Sequence, residues 1–163
     1  MKRTLLSLFL AAALLFSVCA AAGAISFPDV AGHPLEEAIG RAVELGIING
    51  YTDGTFRPDG SVTRAEFCAM TNRALGLAGQ SVLTFTDVPV SAWYFGDVQK
   101  AVTLGYIVGM PGNRFEPDGL ITRYQCALIF ARLSAYEGAG VSLTWSDADS
   151  VPEWARSGAA QLV

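Results

Sequence analysis

The sequence predicts an all-α fold built from tandem helix–loop–helix repeats, and two observations lead to that prediction. Four blocks of residues occur twice in the same order at a spacing of about 59 residues, which is typical of a repeat protein. Within each repeat, apolar residues recur at the helical period rather than alternating. Because one helix pair buries little apolar surface alone, we expect the repeats to share one core.

The repeated blocks are an opening aromatic-x-Asp motif, a helix end, a loop and the start of a second helix. They are Phe27–Val30, Leu45–Gly50, Phe56–Gly60 and Thr63–Arg64, matched by Phe85–Val88, Leu104–Gly109, Phe115–Gly119 and Thr122–Arg123. A looser copy of the first block, Trp145–Ala148, opens a third repeat. The predicted organisation is therefore repeat 1 at residues 25–78, repeat 2 at 84–136 and the start of a truncated repeat 3 at 143–163.

Each repeat is expected to contain two helices joined by a loop rich in Gly, Pro and Asp. Thr63-x-x-Glu66 is a capping box that starts the second helix of repeat 1, and Thr122-x-x-Gln125 is its counterpart. The residues expected on the buried faces of the first helices are Leu35, Ala38, Ile39, Ala42 and Val43, then Tyr94, Val98, Ala101 and Val102, then Ala155, Gly158, Ala159, Leu162 and Val163. Those expected on the second helices are Phe67, Met70, Thr71, Ala74 and Leu75, then Cys126, Ile129, Phe130 and Leu133.

The first 24 residues have the layout of a secretory signal peptide. Lys2 and Arg3 precede an apolar stretch, Leu5–Phe16, and the small residues Ala20–Ala24 follow it. The stretch is shorter than the roughly 20 residues that a bilayer-spanning helix needs. We therefore predict an exported chain that begins at Ile25 after cleavage and has no permanent membrane span.

The composition argues against several functional classes. The net charge is −4, whereas nucleic-acid binding calls for a basic patch. His33 is the only histidine, so no Ser/His/Asp or Cys/His set and no clustered metal ligands are available. We expect no catalysis, no cofactor and no metal. Cys68 and Cys126 are interpreted as buried free thiols, although an exported location also permits a disulfide.

Three stretches of repeat 1 together form a specific motif. They read Phe27-x-Asp29-Val30, then Gly46-Ile47-Ile48-x-Gly50-Tyr51-x-Asp53-Gly54-Thr55-Phe56-Arg57-Pro58, then Thr63-Arg64-Ala65-Glu66-Phe67. This combination resembles the S-layer homology (SLH) domain. Repeat 2 departs from the family pattern, with Tyr124-Gln125 in place of Ala-Glu.

The resemblance implies three tandem copies packed in a pseudo-three-fold arrangement, of which the third is incomplete here. It also implies a non-enzymatic module that holds surface proteins on the bacterial cell wall. Its ligands would be secondary cell-wall polysaccharides, often carrying an acidic pyruvyl ketal, or peptidoglycan, bound in grooves between repeats. An oligomer or a longer parent chain would then complete repeat 3.

The resemblance also implies which residues bind the ligand. The anion contact falls on the arginine of the second-helix motif, and the aspartate of the opening motif lies near the grooves. An arginine in the first turn of a helix stands beside exposed N–H groups and the positive end of the helix dipole, which together suit a carboxylate. Two tryptophans could lie against a sugar face. The predicted ligand-binding residues are Arg64, Arg123, Asp29, Asp87, Asp147, Trp93 and Trp154.

A structural role is the alternative at each of these positions. The arginines could be solvated or form internal salt bridges, the aspartates could cap helices or turns, and the tryptophans could be core anchors. For the whole chain, the alternative to a glycan-binding anchor is a self-assembling surface-layer component whose repeats contact other protein chains.

Overall fold

The structure, a computed structural model, describes residues 27–134 and 146–160. Across these ranges the chain forms five α-helices and no strand; two isolated β-bridges, Thr63–Leu120 and Met110–Arg114, are its only extended pairings. The helices are α1 Glu36–Glu44, α2 Arg64–Ala74, α3 Phe95–Thr103, α4 Arg123–Leu133 and α5 Glu153–Ala160, with a 3-10 turn at Ala148–Ser150 before α5. The all-α prediction is confirmed for this part of the chain. The predicted signal peptide lies outside the described residues.

The predicted capping boxes start both second helices. The Thr63 hydroxyl accepts a hydrogen bond from the Glu66 N–H, and the Glu66 carboxylate accepts one from the Thr63 N–H at 2.8 Å. Thr122 and Gln125 repeat this exchange at α4. Each reciprocal pair satisfies two backbone donors that a helix start otherwise leaves free, which fixes where α2 and α4 begin.

The helices pair across the boundary between repeats. In the described residues α2 packs against α3, and α4 packs against α5, while the two helices of one repeat make no comparable contact. The largest core cluster therefore combines Cys68 of α2 with residues of repeat 2, including Ile129 of α4. Its buried members are Cys68, Val88, Val98, Ala101, Tyr106, Ile107, Phe115 and Ile129.

Repeat 1 has a small core of its own, formed between α1 and the loop that follows it. Phe27, Val30 and Ile39 are buried there, and Phe56 packs against them. The Phe27 ring lies over Gly50, where an added Cβ would come within 2.3 Å of it and where φ is +70°. A left-handed backbone and a ring in contact both require glycine at this position.

The predicted buried face of α1 is wrong at its edges, because no other described helix packs on α1. Ile39 is buried, but Leu35 is 55% exposed and Ala38 is also exposed. At the equivalent positions of repeat 2, Tyr94 and Asp97 are only partly exposed, and α3 packs against α2. The greater burial in repeat 2 thus accompanies a neighbouring helix that α1 lacks among the described residues.

The predicted buried face of the second helices needs a similar correction. In α2, Thr71 is buried as predicted, but Ala74 and the following Leu75 are exposed. The small residues Ala65, Cys68 and Ala69 are buried instead. In α4, Ile129 is buried as predicted, but Phe130 is 44% exposed. Small residues allow a neighbouring backbone to approach closely, and the buried face follows that contact.

Both described cysteines carry free thiols. Cys68 is fully buried and Cys126 is half-buried. Burial raises the pKa of the Cys68 thiol to about 12 and also raises that of Cys126. Both thiols therefore stay protonated at neutral pH and act as small apolar groups.

Helix α5 contacts α4 through very small residues. Ala155 and Ala159 are buried, and a Cβ on Gly158 would lie 2.8 Å from the Leu128 Cα. The prediction that Ala155 and Ala159 face the core is confirmed, while Leu162 and Val163 lie outside the described residues. The pseudo-three-fold arrangement of the repeats stays a prediction.

Candidate functional site

The junction between repeats 1 and 2 is built around Arg64, the first residue of α2. Its side chain is directed into repeat 2, where Nε donates to the Phe115 carbonyl and Nη2 donates to the Val108 carbonyl, each at 2.9 Å. The guanidinium also lies 4.8 Å from the centre of the Phe115 ring. Only 3% of Arg64 is exposed. Burial lowers its pKa, but a guanidinium stays protonated in proteins, so the charge is held by carbonyl dipoles.

The backbone of the same helix start is also engaged. The Arg64 N–H donates to the Gly119 carbonyl at 2.8 Å, and the Ala65 N–H donates to the Pro117 carbonyl at 3.0 Å. One bond runs the other way, from the Ile121 N–H to the Val62 carbonyl. The expectation of exposed N–H groups beside Arg64 is therefore wrong, because repeat 2 supplies the partners that an anion would have taken. Arg64 clamps the two repeats together.

The equivalent Thr-Arg motif of repeat 2 makes no such contacts among the described residues. Arg123 begins α4 as Arg64 begins α2, but Arg123 is exposed. Within the described residues no acceptor partners its guanidinium or the N–H groups of Arg123 and Tyr124. Of the two predicted arginines, Arg123 is the one whose donors face the surface.

Asp29 and Asp87 hold the loops of their own repeats. The Asp29 carboxylate accepts hydrogen bonds from the N–H groups of Phe56 and Arg57. Asp87 accepts from the equivalent groups of Phe115 and Glu116, both at 2.8 Å. Arg57 and Glu116 have left-handed backbones, with φ of 60° and 58°. The carboxylates stabilise this unusual conformation rather than capping the next helix.

The pKa values of both aspartates reflect these bonds. The Arg57 N–H, more than any other group, holds the pKa of Asp29 below its ordinary value. Burial raises the pKa of Asp87, but the bonds from Phe115 and Glu116 outweigh it, so the net pKa is lowered. A carboxylate bound to backbone N–H groups resists protonation because only the charged form accepts at both oxygens.

Acid is expected to destabilise the fold through these loop contacts. Because the folded pKa of Asp87 lies below its unfolded value, its contribution is complete above the unfolded pKa of about 4 and is lost as the pH falls through the folded pKa. Urea unfolding of the wild type between pH 7 and pH 3, followed by circular dichroism, should show falling stability. Asp87→Asn should be less stable at pH 7 and should lose less on acidification.

Asp118→Asn is the matched control for that series, because Asp118 lies in the same loop and is exposed. It should follow the wild-type pH profile. Parallel profiles for the wild type and Asp87→Asn would show that the loop contact does not depend on the charge of Asp87.

Repeat 1 carries a surface network that sequence reasoning did not assign. The Tyr51 hydroxyl donates to Glu66 at 2.9 Å, and the Arg57 guanidinium lies 4.2 Å from the centre of the Tyr51 ring. Arg57 also pairs with Asp53 at 2.6 Å, and Thr55, which donates to Asp53, is the largest cause that lowers the pKa of Asp53 to about 2. The Tyr51-x-Asp53 spacing was the sequence feature from which this network could have been predicted. Repeat 2 has Met110, Gly112 and Glu116 at the positions of Tyr51, Asp53 and Arg57, so it lacks the network.

The tryptophans are not core anchors. Trp93 is 64% exposed and Trp154 is 53% exposed. Trp93 forms a T-shaped pair with Tyr94, with ring centres 5.3 Å apart. Asp147 is exposed as well, and its carbonyl accepts from Ser150 in the 3-10 turn.

Two other classes of site are not found in the part of the chain that the structure describes. No group of three His, Cys, Asp or Glu side chains there is arranged to hold a metal ion. None of the five helices is both long and apolar enough to cross a membrane.

The fold and site define a helical repeat module in which the start of one repeat's second helix binds the loop of the next repeat. The S-layer homology domain matches this chain at residues 26–68 and 84–126, which is more than half of it. The chain therefore belongs to the S-layer homology domain family.

Similar proteins include surface-layer and anchoring proteins of bacteria, and an enzyme. The chain is 31% identical to the surface-layer 125 kDa protein of Lysinibacillus sphaericus over 91% of its own length and 12% of that protein. It is 45% identical to a cellulosome-anchoring protein of Acetivibrio thermocellus over 45% of its own length and 17% of that protein. An amylopullulanase of Thermoanaerobacterium thermosulfurigenes is 31% identical over 81% of the chain and 7% of the enzyme. The chain thus spans less than a fifth of the length of these relatives.

Proposed function

We propose that this chain anchors an exported protein to the bacterial cell wall by binding a wall glycan without a covalent bond. The glycan is a secondary cell-wall polysaccharide, acidic through groups such as a pyruvyl ketal, with peptidoglycan as the alternative ligand. Family membership and the surface-protein relatives support an anchoring module. Catalysis, where a relative such as the amylopullulanase has it, would belong to other parts of a longer protein.

The observation that carries this proposal is the exposure of two aromatic side chains at equivalent positions. Trp93 lies two residues before α3, Trp154 is the second residue of α5, and both are more than half exposed. A tryptophan ring offers a large, rigid and flat apolar surface, and tryptophan is enriched at binding interfaces for that reason. The flat faces of sugar rings suit such a surface, because their C–H groups can lie against an aromatic ring.

Arg123 supplies the charge that an acidic glycan would need. Its guanidinium is exposed at the start of α4, beside the N–H groups of the first turn. A planar guanidinium binds a carboxylate through two parallel hydrogen bonds. In this proposal Arg64 acts indirectly, because it holds the walls of the neighbouring groove together. Asp29 and Asp87 shape the loops, and exposed Asp147 could accept sugar hydroxyls.

A sedimentation assay with purified cell walls tests the function. The chain from Ile25 to Val163 should bind saturably to walls that retain their secondary polymer and should not bind to walls stripped of it. Binding to both preparations would point to peptidoglycan. The Trp93→Ala and Trp154→Ala variants should each bind about tenfold more weakly, the loss expected for removing one aromatic contact.

Leu45→Ala is the matched control, because Leu45 is an equally exposed apolar residue at the C-terminal end of α1, whereas the tryptophans lie at helix starts. Its wall binding should equal that of the wild type. Failure of the folded wild-type chain to bind either wall preparation would overturn the proposal and favour a self-assembling surface component.

A further inference from the structure

Repeat 1 presents the same acceptor surface that α2 covers on repeat 2. Four loop carbonyls of repeat 2 receive hydrogen bonds from Arg64 and Ala65; they belong to Val108, Phe115, Pro117 and Gly119. The equivalent carbonyls of repeat 1 receive no hydrogen bond from any described residue; they belong to Asn49, Phe56, Pro58 and Gly60. The loops have the same backbone form, since Arg57 and Glu116 are both left-handed. The repeat 1 loop is therefore already shaped for a helix start of this kind.

The helix beside that loop is uncovered as well. The face of α3 that carries Val98 and Ala101 is fully buried by α2. The equivalent residues of α1 are Ile39, which is buried in the small core of repeat 1, and Ala42, which is half-buried. Leu35 and Ala38 beside them are exposed, and no described helix packs on α1. Loop acceptors and a helix without a partner helix thus lie together on repeat 1.

Repeat 2 carries the matching donor set. Arg123 and Tyr124 occupy the positions of Arg64 and Ala65 at the start of α4. Their N–H groups and the Arg123 guanidinium have no acceptor among the described residues. One end of the chain has the acceptors of this contact and the other end has the donors.

We propose that two copies of this chain associate head to tail through these surfaces. Arg123 and Tyr124 of one copy donate to the four loop carbonyls of repeat 1 in the next, and Val62 of that copy donates to the Ile121 carbonyl. The contact repeats the one between repeats 1 and 2, so the geometry is one that this sequence already forms. This proposal is independent of the glycan-binding function and concerns a different partner, although a docked copy and a bound glycan would compete for Arg123.

Helix α5 opposes this association. It packs on α4 where α3 packs on α2, so α1 of a docking copy would take its place. The contact of α5 rests on Gly158, whose Cα approaches the Leu128 backbone so closely that a Cβ would lie 2.8 Å from the Leu128 Cα. A larger residue at this position should release α5 and uncover α4 for a second copy.

The experiment measures self-association of the full chain by sedimentation velocity across a concentration series, without wall material. Gly158→Leu should strengthen association by about tenfold to a hundredfold, the factor by which overpacking weakens the competing α5 contact. A head-to-tail pair leaves one donor surface and one acceptor surface free unless the copies close into a ring. Species larger than dimers should therefore appear as the concentration rises.

Two second-site variants in the Gly158→Leu background separate this contact from nonspecific aggregation. Arg123→Ala removes the donor. Ala42→Glu places a charge at the position equivalent to Ala101, which is fully buried in the contact between repeats 1 and 2. Each should restore the monomer. Glu37→Ala, at an exposed neighbouring position of α1, should leave the oligomers unchanged. Circular dichroism checks that every variant keeps its helices.

A folded Gly158→Leu chain that stays monomeric at all concentrations would overturn the proposal. Oligomers that persist with Arg123→Ala or Ala42→Glu would also overturn it, since they would form through another surface. Wall binding by a monomeric chain would leave the anchoring function intact, so the two proposals can fail separately.

Discussion

Arg64→Ala is expected to lower the free energy of unfolding by about 3 kcal/mol. The substitution removes a charged donor from the carbonyls of Phe115 and Val108. The Phe115 carbonyl belongs to a fully buried residue, and a buried group left without its partner costs about 1–3 kcal/mol. Loss of the charge-assisted bond itself and of packing on the Phe115 ring adds to this cost. Urea unfolding at pH 7, followed by circular dichroism, measures the change.

Arg123→Ala is the matched control within the same chain. Arg123 occupies the same position of the same motif but is exposed, and surface substitutions usually change stability by less than about 0.5 kcal/mol. Equal losses in the two variants would mean that the contact of Arg64 with repeat 2 contributes nothing. The comparison also bears on function, because weaker wall binding by Arg64→Ala would then reflect a loosened junction rather than a lost ligand contact.

Asn72→Ala is expected to destabilise the α2–α3 contact by a similar amount, about 3 kcal/mol. Asn72 is 2% exposed, and its amide donates to the backbone and the side chain of Asp97. Its carbonyl oxygen accepts from the Tyr106 hydroxyl at 2.7 Å. Without Asn72, that hydroxyl stays buried with its acceptor gone, because Tyr106 is only 1% exposed.

A double-mutant cycle with Tyr106→Phe isolates this contact. Tyr106→Phe alone leaves the Asn72 oxygen without a donor and should cost about 1–2 kcal/mol. If the two groups interact as the structure shows, the double variant should lose clearly less than the two single losses combined. Strictly additive losses would contradict the proposed network.

The local features of the fold could be predicted from the sequence. The capping boxes at Thr63 and Thr122 are short-range chemistry, since each side chain bonds to backbone only three residues away. The repeat spacing and the helical period likewise depend on neighbouring residues alone. These features explain why the helix class and the starts of α2 and α4 were predicted correctly.

The contacts between repeats could not be predicted in the same way. Thr63-Arg64 and Thr122-Arg123 are identical dipeptides, yet Arg64 is buried and Arg123 is exposed. What distinguishes them is the presence of a loop from the following repeat, which lies more than 40 residues away from Arg64. The buried face of α2 was missed for the same reason, because a surface of small residues becomes a core only when a partner helix reaches it.

The pairing of helices across repeat boundaries separates the unit of duplication from the unit of cooperative folding. Cutting the chain between the repeats, at residues 78–83, would separate Cys68 from the rest of the largest core cluster. Leu77 and Leu83, on either side of the cut, both pack against that cluster. The Gln99 amide further ties this linker to α3 by donating to the Ser81 carbonyl at 2.7 Å. An autonomous fragment would run from α2 to α4, although it would begin in the middle of one sequence repeat. Proteolysis at the linker should therefore destabilise both pieces, because α2 would lose its packing against α3 and the core of repeat 2 would lose Cys68.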